Sequence, residues 1–523
     1  MELQTSKQTL AISDIILDAF LEQGVECDMI LPDYCPDVVK ILKCSVTPII
    51  LSTQLSGDKV EAEGSASIRL YYLSEGGSLH CYEQKYPFEK TADLKETPLR
   101  PVAEASAVLD YVNCRAMSQR RVDIRGAVTV HLRVEGQREQ NIISSAQGDG
   151  VCLRSQMFPV TRLIGTASRQ FTIREELDPI PNSQPAESIL HAFGCAALTE
   201  YKVISGKIIA KGELKLQILY RPQGDSSQDE GIAPHPASME YRLPISQILD
   251  VEGAEEGSRC EVRFEPGDII VTLKNEGAPG EEKISLSALM FAKARVYADV
   301  EVSLADDCYS TLYACTYHAA PMKLEQTSSM LDEHRQQRAS IDLPEEAAGE
   351  VLSLWGDISA VTLTEEGLSA QLDLHLLACD GEGTPVYFER ALEIPAPVSL
   401  QPGEEMADPR IQLEDISYTR SGEHLELSCD LRVTCRRCIS RIFSAIQEIN
   451  VDESHPKPPR TAALTIFFAR KGESLWEIAR QYSTSMEAIM EENTLSEDVL
   501  PENRMLMIPM VTSSRNVSTA EAE

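Results

Sequence analysis

Basic side chains are scarce in this sequence of 523 residues, where 48 lysines and arginines stand against 82 acidic residues and give a formal net charge of −34. The summed field repels nucleic acid and anionic lipid, and no local basic patch opposes it. The sequence also lacks the uninterrupted apolar run of about 18 residues that a membrane-spanning helix needs. We therefore expect a soluble protein that binds no nucleic acid and does not insert directly into a membrane.

Cysteine is scarce as well. The sequence has 14 cysteines in 523 residues, a density far below that of a secreted protein held together by disulfides. Residues 1–24 lack the basic start, the long apolar core and the small-residue cleavage site of a signal peptide. We expect a cytoplasmic protein whose cysteines are reduced and serve as small apolar core residues.

Catalytic motifs are missing too: the sequence contains no P-loop, no GxGxxG in a βαβ setting, no HExxH and no GxSxG. The nine histidines are scattered, and none stands near a plausible nucleophile. These absences predict a protein that is not an enzyme and that has no catalytic residues, no cofactor and no metal.

The sequence does contain an internal repeat. A strand-rich stretch follows LPDYCPDVVKIL (31–42) and reaches Leu73, and a similar stretch follows IPNSQPAESIL (180–190) and reaches Tyr220. In both, two prolines lie four residues apart, and a Ser-Gly pair ends 21 residues after the second proline. A third, weaker copy begins at IDLPEEAAGEVLSLWGD (341–357). Such self-similarity predicts three structural units.

Apolar and polar residues alternate after each copy of the turn, which predicts β-hairpins. Each copy also ends in a second long alternating strand, at 122–134, 284–302 and 425–435. Several such strands in about 110–130 residues are typical of a small antiparallel sandwich. The predicted fold class is multidomain and mainly β, with three diverged antiparallel β-sandwich-like repeats and a small βααβ domain.

The spacing of Leu10, Ile12, Ile15, Ile16 and Phe20 suits an amphipathic helix at the N-terminus. A proline-rich stretch near the C-terminus has the composition of a semi-rigid linker. The expected division is an N-terminal helix at 1–24, β-domain 1 at 25–136, a connector at 137–168, β-domain 2 at 169–303, a connector at 304–335, a diverged β-domain 3 at 336–452, a linker at 453–462, a C-terminal module at 463–510 and a disordered tail at 511–523.

The C-terminal module has the pattern strand, helix, helix, strand. Ser474 and Glu477 predict a capping box at the first helix, and Thr484 or Ser485 predicts the cap of the second. The flanking strands, KGESLWEIA and the closing LMIP make the segment resemble a LysM domain. One departure is Asn503, where that family usually carries glycine.

LysM domains bind N-acetylglucosamine polymers in a shallow groove between two loops. Carried onto this chain, the resemblance implies a partner or glycan groove built from Gly472, Glu473, Ser474, Leu475, Asn493, Thr494 and Leu495. The neighbouring Trp476 is either a stacking platform for a sugar or a packing residue, and packing is the favoured interpretation. The module holds eight acidic and four basic residues, which suits an anionic glycan poorly.

The whole arrangement, with its LPxxxP turn, paired hairpins and terminal LysM, resembles the SPOCS-domain spore-coat morphogenetic proteins of the SipL type. The resemblance implies a non-enzymatic adaptor in the mother-cell cytoplasm, at the outer forespore membrane and spore coat surface. Its implied partners are spore coat proteins, with the coat ATPase SpoIVA bound through the LysM. The alternative is a peptidoglycan-binding protein of the spore cortex or cell wall.

Two further residue sets carry sharper hypotheses. Asp33, Cys35 and Asp37 in the opening turn could serve a metal-dependent hydrolase, but the later copies of the turn do not keep this set. We therefore interpret the turn as a structural bracket. Cys435 and Cys438 form a CxxC pair without the second pair that zinc requires, so a structural role is favoured.

Overall fold

The computed structural model describes residues 3–96, 98–148, 150–181, 183–223, 235–275, 282–365, 367–458 and 464–509. Over these residues the chain forms twenty strands and, near its C-terminal end, two short α-helices. Three successive six-stranded units are followed by one small module. The mainly β, multidomain fold class expected from the alternating patterns is confirmed.

The three units have the same order of strands. Unit 1 contains β1 Gln4–Ile30, β2 Lys40–Ser56, β3 Lys59–Leu73, β4 Leu79–Asp93, β5 Leu99–Ser118 and β6 Arg121–Gln147. Unit 2 contains β7 Val151–Leu177, β8 Ala186–Ile204, β9 Lys207–Pro222, β10 Ala237–Asp250, β11 Arg259–Asn275 and β12 Glu282–Ser310. Unit 3 contains β13 Tyr313–Asp342, β14 Val351–Thr364, β15 Gly367–Cys379, β16 Pro385–Pro397, β17 Glu404–Ser421 and β18 His424–Pro456.

Each unit consists of two three-stranded antiparallel sheets. One sheet joins the first, last and fifth strands, in the orders β1-β6-β5, β7-β12-β11 and β13-β18-β17. The other is a meander of the second to fourth strands, in the orders β2-β3-β4, β8-β9-β10 and β14-β15-β16. Each unit has its own core, because period-two alternation puts one face of every strand inside. On β6, for example, Val122, Ile124, Val128 and Val130 are fully buried.

The predicted N-terminal helix is wrong, because β1 pairs with β6 along nearly its whole length. A β-bulge between Ile15 and Leu17 explains the misleading pattern. Before the bulge even-numbered residues such as Leu10 point inward, and after it odd-numbered ones such as Val25 do. The resulting mixture of two strand phases imitates a helical stripe, and pairing across the sheet overrides it.

The predicted connectors at 137–168 and 304–335 are also wrong. Both stretches are the outer halves of long strands, since β6 reaches Gln147 and β7 begins at Val151. Three residues therefore separate β6 from β7, and two separate β12 from β13. The units therefore meet at tight turns. Residues 453–456 of the predicted linker belong to β18, while 459–462 and the predicted tail at 511–523 lie outside the described residues.

Equivalent positions of the three units pack against one another. The long outer strand halves bring Ile142, Leu304 and Ala445 into one buried cluster. At the meander sheets, Tyr71, Leu219 and Cys379 share a second cluster. The three units therefore surround a common axis as an approximate three-fold arrangement within a single chain.

The C-terminal module consists of β19 Leu464–Ala469, α1 Leu475–Gln481, α2 Met486–Asn493 and β20 Arg504–Pro509. β19 and β20 pair antiparallel, and the two helices cover one face of this ribbon. Of the helices in the described part of the chain, none is long and apolar enough to cross a membrane.

Candidate functional site

Local sequence positions the two helices of the module. The hydroxyl of Ser485 accepts a hydrogen bond of 3.1 Å from the backbone N–H of Ala488, as expected of an N-cap. The predicted capping box at Ser474 does not form, since the Ser474 side chain makes no capping hydrogen bond. Ser474 instead forms an isolated β-bridge with Val499, which holds the start of α1 in place.

The loop after β19 is hydrogen-bonded to the loop before β20. The backbone N–H of Gly472 donates to the carbonyl of Leu500 at 2.8 Å, and that of Leu475 donates to Asp498 at 2.8 Å. The N–H of Leu500 returns a bond of 3.1 Å to the carbonyl of Glu473. Gly472 has φ +86°, a backbone conformation that favours glycine. These polar backbone groups of the predicted groove residues 472–475 are therefore hydrogen-bonded within the module itself.

Asn493 is a structural residue rather than an open contact. Its amide donates to the carbonyls of Ile489 and Met507 at 2.8 and 2.6 Å. Its side-chain oxygen accepts from the N–H of Met507 at 2.7 Å. The side chain is buried and ties the end of α2 to β20, so it has no hydrogen-bonding group left for a ligand.

The remaining predicted groove residues divide by exposure. Leu475 is fully buried in the core of the module. Gly472 and Thr494 are exposed, and Thr494 ends α2 in the left-handed conformation with φ +55°. Glu473, Ser474 and Leu495 are half-buried. The exposed surface of the predicted groove is therefore small.

Trp476 packs against unit 2. Its side chain is 5% exposed, and its ring meets Tyr309 edge to face with centroids 4.9 Å apart. The indole N–H donates a 2.7 Å hydrogen bond to the carboxylate of Asp307. The guanidinium of Arg154 lies over the indole ring, 5.7 Å from its centroid. The packing interpretation of Trp476 fits this environment.

Two further residues of the module contact the same part of β12. We call this contact the module seat; in it Asp307 and Tyr309 of β12 lie against Trp476, Arg480 and Thr484. Arg480 donates to both carboxylate oxygens of Asp307 at 3.0 and 2.9 Å. The Tyr309 hydroxyl donates to the carbonyl of Thr484 at 2.7 Å. Asp307 and Tyr309 were not predicted from the sequence. The one indication of a contact was the spacing of Trp476 and Arg480, which places both on one face of α1.

The open face of the β19–β20 ribbon is apolar. Ile466 pairs with Met507, and Phe468 pairs with Met505. Side chains at such paired positions lie on the same face of a ribbon. All are exposed, Phe468 by 75% and Ile466 by 58%. We call Leu464, Ile466, Phe468, Met505 and Met507 the ribbon face.

A second polar site lies where the three units meet. Arg133, Arg295 and Arg436 occupy equivalent positions on β6, β12 and β18, and all three reach the carboxylate of Asp408, at 3.2, 3.7 and 3.0 Å. Burial alone would raise the pKa of Asp408, but Arg295 and Arg436 outweigh it and hold that pKa below its usual value. We call these four residues the central hub.

A cavity of about 860 Å³ lies beside the central hub and is lined by residues from all three units. Its charged side chains are paired inside the protein. Glu104, for example, accepts from Arg263 at 3.2 Å and from Arg410 at 2.8 Å. We therefore assign this charged centre to the assembly of the units rather than to ligand binding.

The opening turn has a structural explanation. Arg120 pairs with Asp37 at 2.8 Å and approaches Asp33 within 3.8 Å, and it also donates to the carbonyls of Leu31 and Pro32. Burial raises the pKa of the Cys35 thiol, which opposes a reactive thiolate. Among the described residues, no group of histidine, cysteine and carboxylate side chains is arranged to hold a metal ion.

These features define a class of protein: three similar β-units in one chain, followed by a small βααβ module. Comparison with protein families makes the class specific. The model described as SipL, SPOCS domain matches residues 37–117 and 185–274, and the LysM domain model matches residues 469–509. The chain thus contains SPOCS-domain sequence in units 1 and 2 and a LysM domain near its C-terminal end, a combination that matches the SipL-type resemblance seen in its sequence.

The domain families also set the coarse function. SPOCS domains are associated with sporulation, and LysM is a peptidoglycan-binding class of module. Neither is a catalytic domain family. Comparisons with curated proteins and with solved structures returned no match.

Proposed function

We propose that the protein is a non-enzymatic adaptor of endospore coat assembly. It tethers coat proteins at the forespore surface, on the mother-cell side of the outer forespore membrane, through binding of its LysM domain to the coat ATPase SpoIVA. The SPOCS and LysM matches support the sporulation setting. The observation that favours a protein partner over a glycan is the contrast between the ribbon face and the two-loop groove.

The groove has few polar groups that could bind a sugar, because recognition of a sugar needs several hydrogen-bonding groups that are not already bonded within the protein. Backbone groups of Gly472, Glu473 and Leu475 are bonded to the opposite loop, and the Asn493 amide is used within the fold. The ribbon face has the opposite character, because contiguous exposed apolar side chains mark protein interaction sites. We therefore assign the ribbon face to the protein partner.

Binding between the purified full-length chain and SpoIVA tests this assignment. Phe468→Ser removes an exposed ring, and burial of such a side chain contributes about 1.5–3 kcal/mol. The affinity should therefore fall by roughly 10- to 100-fold. Thr494→Ala in the groove is the matched control and should leave the affinity unchanged.

The reverse pattern, with loss in Thr494→Ala and none in Phe468→Ser, would move the partner to the groove. No binding of the wild-type chain would overturn the SpoIVA proposal. Circular dichroism of each variant separates a lost contact from a lost fold.

The second candidate function is binding of N-acetylglucosamine polymers of the spore cortex or cell wall, which the LysM match favours. Gly472 and Thr494 are the exposed groups at which such a glycan would enter. Retention of the wild-type chain on purified cortex, lost in Thr494→Ala and kept in Phe468→Ser, would establish this function. If none of the three proteins were retained on purified cortex, this function would be excluded.

A further inference from the structure

Two cysteine thiols lie together at the turn between units 2 and 3. The Sγ atoms of Cys308 on β12 and Cys315 on β13 are 3.9 Å apart. Cys308 is buried and Cys315 is half-buried. The equivalent positions of the other two units carry Ala146 and Ile449, so the pair belongs to this turn alone among the three units.

This pair adjoins the module seat. Cys308 lies between Asp307 and Tyr309, the two residues of β12 that hold the LysM domain. Its backbone N–H donates a 2.9 Å hydrogen bond to the carboxylate of Asp307, the same carboxylate that binds Trp476 and Arg480. Any restraint on Cys308 is therefore passed directly to the seat.

We propose that Cys308 and Cys315 are a reversible disulfide pair, oxidised by low-molecular-weight disulfides, whose formation fixes the module seat. A disulfide requires sulfur atoms about 2.0 Å apart, so the two atoms have to approach by roughly 2 Å. Cys315 is less enclosed than Cys308, which makes it the side chain that moves. The proposal does not depend on which ligand the LysM domain binds.

The two thiols differ in the way that thiol–disulfide exchange requires. The hydrogen bond shared with Cys308 lowers the pKa of the Cys315 thiol against the opposing effect of burial, and nearby Lys457 and Arg480 act in the same direction as the hydrogen bond. The same hydrogen bond, together with burial, raises the pKa of Cys308. Cys315 is thus the more accessible thiolate and reacts first, and Cys308 reacts in the second step.

The chemistry proceeds by two exchanges. The Cys315 thiolate attacks one sulfur of a small disulfide such as glutathione disulfide, forms a mixed disulfide and releases one glutathione thiolate. Cys308 then loses its proton and attacks the Cys315 sulfur, which forms the internal disulfide and releases the second glutathione thiolate. The two cysteines are oxidised by two electrons, and one glutathione disulfide is reduced to two glutathione molecules.

Mass spectrometry of the full chain tests the pair. The reduced protein is incubated with glutathione disulfide without oxygen, alkylated and digested. Trypsin leaves both cysteines in one peptide, residues 296–323, which should lose two hydrogen atoms and resist alkylation. Chymotrypsin cuts after Tyr309 and Tyr313 and should yield two peptides joined by the disulfide.

Matched variants make the outcome decisive. Cys315→Ser should abolish the linkage, whereas Cys35→Ser, which removes another partly exposed thiol far along the chain, should leave it intact. A lasting glutathione adduct on Cys315, a link from Cys152 to Cys308, or full alkylation of both thiols would overturn the proposal.

Hydrogen exchange tests the effect on the seat. Amide exchange in α1 should slow several-fold on oxidation of the wild-type chain and should not change in Cys315→Ser. Equal exchange in reduced and oxidised wild type would overturn the claim that the disulfide fixes the seat.

Discussion

Single side chains carry long-range roles in this molecule. Asp307 stands on a strand of unit 2, yet it holds both Trp476 and Arg480 of the LysM domain. The packing role of Trp476 could be anticipated from its place beside the apolar stripe of α1. Its partner could not, because 169 residues separate the two in sequence and no local pattern reports such a contact.

Asp307→Asn should weaken the module seat. The substitution keeps an oxygen for the Trp476 indole but removes the charge that pairs with Arg480, so a loss of about 1–3 kcal/mol is expected. Faster hydrogen exchange of α1, with unchanged exchange in units 1 and 3, would show it. Glu301→Gln, which alters an exposed carboxylate on the same strand, is the control, and equal exchange in the two variants would contradict the prediction.

Whole elements were predictable where the alternation is uninterrupted. Residues 122–134 of β6, 284–296 of β12 and 425–435 of β18 follow period-two patterns, and their apolar positions form the cores as expected. The prediction for β1 failed because its bulge changes which residues point inward, and a pattern that changes phase has no single period. The LysM strands and helices were recognisable because short elements with clear apolar stripes recur there in a fixed order.

The junction of the meander sheets also depends on paired elements. His191 on β8 shares a 2.9 Å hydrogen bond with the Tyr71 hydroxyl of β3, and its ring meets Trp355 of β14 edge to face. Burial lowers the pKa of His191 well below its ordinary value, and Arg69 and His375 act in the same direction. This junction therefore requires a neutral imidazole.

Stability should consequently fall as the pH drops below about 6.5, the ordinary pKa of histidine. In that range the unfolded chain binds a proton that folded His191 rejects, so lowering the pH favours unfolding. Urea unfolding at pH 7.5 and pH 5 should show a larger loss in the wild type than in His191→Gln. His318→Gln, at an exposed position of β13, should behave as the wild type does; identical losses in all three proteins would refute the role of His191.

At the scale of the whole molecule, the central hub joins the three units. Asp408 balances arginines from units 1, 2 and 3, and it is contributed by unit 3 alone. Its backbone has φ +51°, a conformation that aspartate and asparagine tolerate. Repeats visible in the sequence predicted three similar units, but they could not indicate that these surround one buried carboxylate.

Asp408→Asn should destabilise the assembly of the units. The substitution suits the same backbone conformation but removes the counter-charge that Arg295 and Arg436 share. Arg295 keeps Glu104 and Glu135, and Arg436 keeps Glu325, so a loss of about 1–3 kcal/mol is expected. Asp415→Asn is the matched control, because Asp415 pairs with Lys215 near the surface, where a pair is worth below about 1 kcal/mol. Urea unfolding midpoints measure both, and a similar small shift in the two variants would contradict the role of the hub.

The approximate three-fold arrangement has a consequence for stoichiometry. A ring of three identical subunits offers every outer surface three times and binds a given partner at three places. Here the three positions belong to one polypeptide, so each outer surface occurs once per molecule. The single LysM domain is seated on only one of the three units, and a complex formed through it should contain one partner for each copy of the chain.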